Sequence, residues 1–358
     1  MSRARGLHTA TLPPLSFVPQ LAETIWGGDE LAVRFGKATP GQRLIGESWE
    51  LWDDNAVREG PFAGQSLRAL CAARGAELLG HRAGDGAGCP LLVKLIHARD
   101  LLSIQVHPDD ATAARLAPGA RGKTEAWYIL RAEPGARLIY GLRGGIDRAG
   151  VAAAVAEGTL EQYVTYLPVR TGDVVFVPAG TLHAIGAGIV LCEVQQASTL
   201  TYRLYDWQRR GADGQPRPLH VAEALVALRF PQPAARTVTP LPLGAGRMLL
   251  TACRAFAFEA LRGPQRLATD EGSFEALIAT EAPAVLRWAG GERPFACGEL
   301  LLLPATLGAY EVASDGLVLR AYVPDLRRHV IEPARAAGWD RASVAQLGGE
   351  DLLAEWDR

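Results

Sequence analysis

Lysine is almost missing from this chain. Of 37 basic side chains in 358 residues, only Lys37, Lys94 and Lys123 are lysine, and the rest are arginine. With 39 glycines and 23 prolines, this is the bias of a GC-rich genome that writes arginine wherever charge alone is needed. A compact ammonium with a shiftable pKa is what arginine cannot replace, so the three lysines are worth following. Paired cysteines are missing too. No two of the five cysteines lie closer than Cys71 and Cys89, which argues against a disulfide framework or a zinc ribbon. There is no charge excess: a net charge of −2 offers no basic field for nucleic acid or anionic lipid and no acidic tail. No apolar run approaches a membrane span, and the N-terminus lacks the apolar stretch of a secretory signal. A soluble, cytoplasmic protein is expected. With 48% apolar residues it can build two cores, or one large one.

What is present reads as mainly β: short apolar or alternating runs punctuated by glycine and proline. Strands are expected at 46–52, 91–98, 102–107, 124–130, 137–140, 174–177, 189–195 and 200–205. After a break they resume at 248–254, 274–280, 284–288, 299–303 and 316–322. Helices are expected at 67–79, 108–116, 147–156 and 220–228; the second opens on Pro108, Asp109 and Asp110, a proline and acids in a first turn. Four prolines between Pro231 and Pro242, without a helical period, mark a boundary. The expected organisation is an N-terminal domain over 1–230, a second over 243–325 and a helical tail over 326–358.

An internal repeat adds to this picture. Residues 172–183 read GDVVFVPAGTLH and residues 298–309 read GELLLLPATLGA. Each is a glycine, five mostly apolar residues, Pro-Ala and a tight turn. The first copy ends on His183 and the second on Ala309. Two related β-barrel or jelly-roll domains are expected, of which only the first kept a site.

The chemistry concentrates in three short segments. Residues two apart on a strand share a face, so Ser103, Gln105 and His107 point the same way, as do Lys123 and Glu125. Polar groups inside a barrel need partners. Gln105, His107, Glu125 and His183 would supply two nitrogens and two oxygens, a set suited to a zinc-like divalent ion with a position left open. Taken singly, each has a plainer reading as a hydrogen-bonded histidine or an ion-paired carboxylate. His8, His81, His97, His220 and His329 lack such company and read as structural, with His220 at a helix start.

The string from Gly172 to His183 fits the second cupin motif, although Ala187 stands where an asparagine often follows. WGG at 26–28, GESWELW at 46–52, LLVKLI at 91–96 and LLSIQVHPDD at 101–110 extend the likeness. So do KTEAWYIL at 123–130, VPAGTLHAIG at 177–186 and EVQQASTLTYRLYDW at 193–207. Together, over roughly residues 10–325, they resemble type I phosphomannose isomerases. Only 57 residues separate Glu125 from His183, as in the short bacterial branch; long members carry a helical insertion there.

The resemblance implies one zinc ion per chain, held by Gln105, His107, Glu125 and His183. It implies interconversion of mannose 6-phosphate and fructose 6-phosphate, with Arg203 as the essential arginine and Glu193 as a substrate-facing acid. Such an isomerisation moves a proton between adjacent carbons through an enediolate. Lys123 could serve as the base, with Glu193 a rival and a metal-activated water a third. Ser103, Lys94 and Arg203 are candidates for the phosphate, although Lys94 could equally be a surface charge on an edge strand. GLRGG at 141–145 lacks the ending of a phosphate-binding loop and reads as a turn. Trp26, Glu47 and Glu50 could line the mouth, with packing the plainer role for Trp26 and a solvated face for Glu50.

Two departures stand out. Asp206-Trp207-Gln208 follows the arginine where long members have a lysine, and the C-terminal tail is extra. The expected partner is a small sugar phosphate, with no nucleic acid and no membrane, and the protein a monomer or weak homo-oligomer. Two other readings stay open: a metal-dependent cupin of the oxygenase class, and an inactive sugar-phosphate-binding regulator.

Overall fold

The computed structural model describes residues 12–38, 41, 44–83, 88–211 and 214–358; His8 lies outside them. The described residues are mainly β, with four antiparallel sheets. A six-stranded sheet runs in the order Gln20–Gly28, Ile45–Leu51, Leu91–Ala98, Ile189–Gln196, Glu125–Ala132 and Val174–Val177. A five-stranded sheet is built from Tyr202–Tyr205, Ile104–Val106, His183–Ala184, Arg137–Leu142 and Val164–Pro168. The remaining two draw mainly on the C-terminal part. One has seven strands: Leu241–Gly244, Arg247–Ala252, Ala257–Arg262, Leu317–Tyr322, Glu275–Ala279, Leu300–Leu303 and, from the N-terminus, Leu15–Ser16. The other has four: Gln265–Ala268, Ala309–Ser314, Ala284–Trp288 and Gly291–Phe295.

Each small sheet packs on a large one. Ile96, Trp127, Ile129 and Leu191 meet Leu138, Tyr140 and Ile185 between the first pair. Leu261, Leu277 and Val318 meet Leu286, Phe295 and Val312 between the second. The other faces of the large sheets pack against each other through residues such as Val93, Leu95, Val194, Ile278 and Leu319. Leu91–Ala98 is therefore covered on both sides and buried at every position, which is why its sequence is a continuous apolar run rather than an alternation. Lys94 interrupts that run from the middle of the sheet. It is not on an edge strand, and it is buried.

Helices lie at the margins. The expected helix at 108–116 begins at Asp110 because the Asp109 carboxylate accepts from the Thr112 N–H, leaving Pro108 outside. Residues 144–145 form the turn expected of GLRGG. Beyond Tyr322 come a π turn, Arg327–Ile331, and helices Glu332–Ala336, Arg341–Ala345 and Glu350–Trp356. They return to the central core through Val330, Ile331, Val344 and Leu352. No helix among the described residues is long and apolar enough to cross a membrane.

Candidate active site

The repeat-bearing strand Val174–Val177 leads through a turn into His183. Gly180 sits in that turn at φ 85°, where an L side chain is strained, and its N–H donates to the His107 carbonyl at 2.8 Å. On the small sheet His183 lies opposite Gln105, and Gln105 lies opposite Arg203 on its other side. On the facing large sheet Glu125 lies opposite Gln195, and Glu193 stands between Trp127 and Lys94. Facing strands thus carry the site's groups into one interior.

His107, Glu125 and His183 are buried and bring ligand atoms within 4.8 Å of one another. His107 Nδ1 lies 2.8 Å from the Leu200 carbonyl and His183 Nδ1 2.9 Å from the Thr181 carbonyl. A carbonyl can only accept, so each Nδ1 carries the proton and each Nε2 turns a lone pair to the cluster. Burial keeps both rings neutral, pushing His183 down to about 4 and His107 well below its ordinary value. The two Nε2 atoms stand 3.5 Å (His107) and 3.3 Å (His183) from the Glu125 carboxylate. Among the described residues neither Glu125 oxygen accepts a hydrogen bond, and burial raises the group to about 7. Lys123 Nζ, 3.0 Å from one of these oxygens, makes a charge contact without hydrogen-bond alignment, and it lies 3.2 Å from His107 Nε2. The Gln105 amide is 3.4 Å from His183 Nε2, and a half-turn of that amide would present its oxygen. Two imidazole lone pairs, an orphaned buried carboxylate and an adjacent amide fit a divalent cation.

The cluster opens on a cavity of about 390 Å³ whose lining includes Trp26, Glu47, Lys94, Ser103, Thr201, Arg203 and Arg217. A larger cleft, about 860 Å³, lies by Arg229, Arg236 and Asp351 and contains none of the expected site residues. Trp26 is both packed and cavity-lining; Gly46 permits this, since a Cβ there would stand 2.7 Å from its ring. Lys94 is enclosed between Glu47 at 3.2 Å and Glu193 at 3.5 Å. Burial alone would lower its pKa; the two carboxylates outweigh it and raise it. Glu193 accepts from Trp127 Nε1 at 2.9 Å through one oxygen, and its other has no hydrogen bond. Arg203 donates to Ser103 Oγ at 3.1 Å and to the Pro218 carbonyl at 2.9 Å.

Other expectations change. Glu50 does not line the mouth or a solvated face: it is buried and paired with Lys37 at 2.7 Å. Lys37, whose loop suggested charge alone, is thus a buried ion-pair partner. Sequence reasoning missed Arg217 and gave Asp206 no role beyond replacing a lysine. Neither belongs to a periodic segment, and only the fold brings Arg217 to the cavity.

Buried groups of both charges around a polar cavity suit an enzyme, with a cluster that could hold a metal. The model of the type I phosphomannose isomerase catalytic domain matches residues 15–126. Mannose-6-phosphate isomerase of Streptococcus mutans is 38% identical over 234 residues, 64% of this chain and 72% of that protein. YvyI of Bacillus subtilis is 32% identical over 321 residues, 87% of this chain and 100% of that one. The crystal structure of mannose 6-phosphate isomerase from Bacillus subtilis superposes with a TM-score of 0.79 at 29% identity, covering 87% of this chain and 99% of that one. The chain belongs to the type I phosphomannose isomerase family.

Proposed function

We propose that the chain is a zinc-dependent isomerase interconverting mannose 6-phosphate and fructose 6-phosphate through an enediolate. The carrying observation is that Glu125, whose oxygens accept no hydrogen bond among the described residues, lines one cavity with Arg203 and has two oriented imidazoles beside it, in a member of this family. Zinc, held by Gln105, His107, Glu125 and His183, would offset the negative charge that develops on the sugar oxygens. Arg203 adds its guanidinium to the same end. Two groups can move the proton between the carbons. Lys123 stands beside the ligand cluster, and Glu193 keeps one oxygen free of hydrogen bonds. Trp26, Trp127 and Ile185 exclude water from one side. Ser103 would serve the substrate's phosphate, whereas Lys94 is already paired with two carboxylates. The substrate is a small sugar phosphate, and the protein acts in the cytoplasm as a monomer or weak homo-oligomer.

The same reading makes the two sheet pairs cupin-type barrels, the second a degenerate copy without metal. Six strands of each large sheet follow one order, and the pairings correspond position by position. Glu125 pairs with Val177 as Glu275 pairs with Leu303, and Glu193 lies opposite Lys94 as Arg320 lies opposite Glu259. Glu47 faces Ile96 as Arg247 faces Leu261. Gln105 and His183, which pair, correspond to the paired Ala268 and Ala309.

The test is a coupled assay for fructose 6-phosphate together with elemental analysis. One zinc per chain with turnover supports the proposal. A metal-loaded protein that makes no fructose 6-phosphate overturns it, and bound iron with oxygen uptake would favour the oxygenase class.

A further inference from the structure

The cavity is divided by charge. Toward the large sheet, Glu47, Glu125 and Glu193 stand with Lys94 and Lys123 in ion-pair contact, three carboxylates against two ammoniums. On the small-sheet side are Arg203, whose neighbour in register is Gln105, and Arg217 from the following loop. Arg203 pairs with no carboxylate among the described residues; its partners there are Ser103 and the Pro218 carbonyl. Asp206 is buried and shared by two guanidiniums. Arg217 grips it through Nε and Nη2, and Arg209 Nη2 lies 2.6 Å away. Two arginines therefore hold one acid and Arg203 is left without one; Arg203 and Arg217 border the cavity. Burial first, and then Arg217, lower the pKa of Arg203, so these like charges feel each other. Holding two guanidiniums together in a half-buried place is unfavourable until an anion joins them, and planar N–H forks suit phosphate oxygens.

We propose that Arg217, oriented by Asp206, is the second guanidinium of a phosphate grip completed by Arg203 and Ser103. This rests on the sugar-phosphate reading above and deepens it. Arg217 reaches the site from the loop after Tyr202–Tyr205, fourteen residues beyond Arg203 in sequence. Asp206 is a positioning residue: its carboxylate takes one edge of Arg217, and among the described residues Nη1 has no protein partner. The sugar's reacting carbons would then lie toward the His107–Glu125–His183 cluster and its phosphate toward the loop.

The zinc-loaded full chain is titrated calorimetrically with inorganic phosphate, and KM and kcat are measured for mannose 6-phosphate, in wild type, R217A, R217K and D206N. Losing one charge-assisted contact should weaken phosphate binding and raise KM about 10- to 100-fold in R217A, with kcat within about threefold. R217K should recover part of the loss, and D206N should raise KM with little change in kcat. Phosphate affinity and KM within twofold of wild type in R217A overturn the proposal, as does a fall in kcat at unchanged KM. Should wild type turn over no mannose 6-phosphate, the proposed isomerase activity fails instead, and the phosphate titration still decides the role of Arg217.

Discussion

Replacing Lys94 with methionine keeps the length of the stem but removes the ammonium between Glu47 and Glu193. At an effective dielectric of about 20, contacts of the lengths seen are each worth about 5 kcal/mol of Coulomb energy, before desolvation is subtracted. Glu47 is 20% exposed, so water screens its share; Glu193, at 4%, has no such relief. Removing one partner of a buried pair costs about 3–5 kcal/mol, and that is the expected loss at pH 7. Burial alone would raise the Glu193 pKa; Lys123 and Lys94 together hold it below its ordinary value. Without Lys94 that hold weakens and the folded-state pKa rises. The penalty is then fully present above that raised pKa and lifts as pH falls through it. Urea unfolding at pH 7 and pH 5.5 reads both effects, and Glu193→Gln in the same chain should recover part of the loss. A loss below about 1 kcal/mol, or an equal loss in the Glu193→Gln background, would refute the reasoning.

Chelation should lower the thermal midpoint and abolish turnover, both restored by zinc; metal at a thousandfold above its Kd stabilises by about 4 kcal/mol. Superimposable unfolding curves with and without chelator would exclude a folded-state metal site. Lys37→Met should cost about 3 kcal/mol by stranding Glu50, yet leave kcat unchanged, because Glu50 and Lys37 are absent from the cavity lining. Urea titration and the coupled assay separate the two effects.

The three lysines show what a sequence can carry. Lys123 was legible because it sits two residues before Glu125; it lies just ahead of the strand, and its ammonium still comes within 3.0 Å of the Glu125 carboxylate. Lys94 was only half legible. Its strand was evident from LLVKLI, but its partners Glu47 and Glu193 come from neighbouring strands whose register depends on distant turns. Lys37 was misread, because nothing in its polar loop signals burial, and only the fold brings it onto Glu50, 13 residues on. Strands with apolar runs were found close to their limits, as at Leu91–Ala98 and Val174–Val177. Those missed, such as Gln20–Gly28 and Gly291–Phe295, carry polar side chains on exposed faces and offer no apolar period. The metal-ready cluster lies in short motifs and could be read; Arg217, brought in by a loop, could not.

The row Arg247, Glu259, Arg320 and Glu275 stands where the first sheet carries Glu47, Lys94, Glu193 and Glu125, and its charges alternate. Arg320 donates to Glu259 at 2.9 Å and to Glu275 at 2.6 Å, while Arg247 and Tyr322 also hold Glu259. Burial alone would raise the Glu259 carboxyl; Arg320 foremost, then Arg247, bring it down to about 2 from 4.5. A depressed folded pKa stabilises above the unfolded value and loses that contribution as pH falls from 4.5 toward 2. At 1.36 kcal/mol per pKa unit this is about 3 kcal/mol, so Glu259→Gln should cost at least about that much at pH 7 and flatten the acid limb of stability. Replacing the whole row with apolar residues of similar volume should be neutral or stabilising, since paired buried charges seldom outdo good packing. Turnover should be unchanged, because a self-neutralised row has no charge left over for a ligand. Urea titrations across pH 2–7, with the isomerase assay on the four-site variant, test both parts. A folded variant that lost isomerisation would mean that the second sheet pair still serves the first.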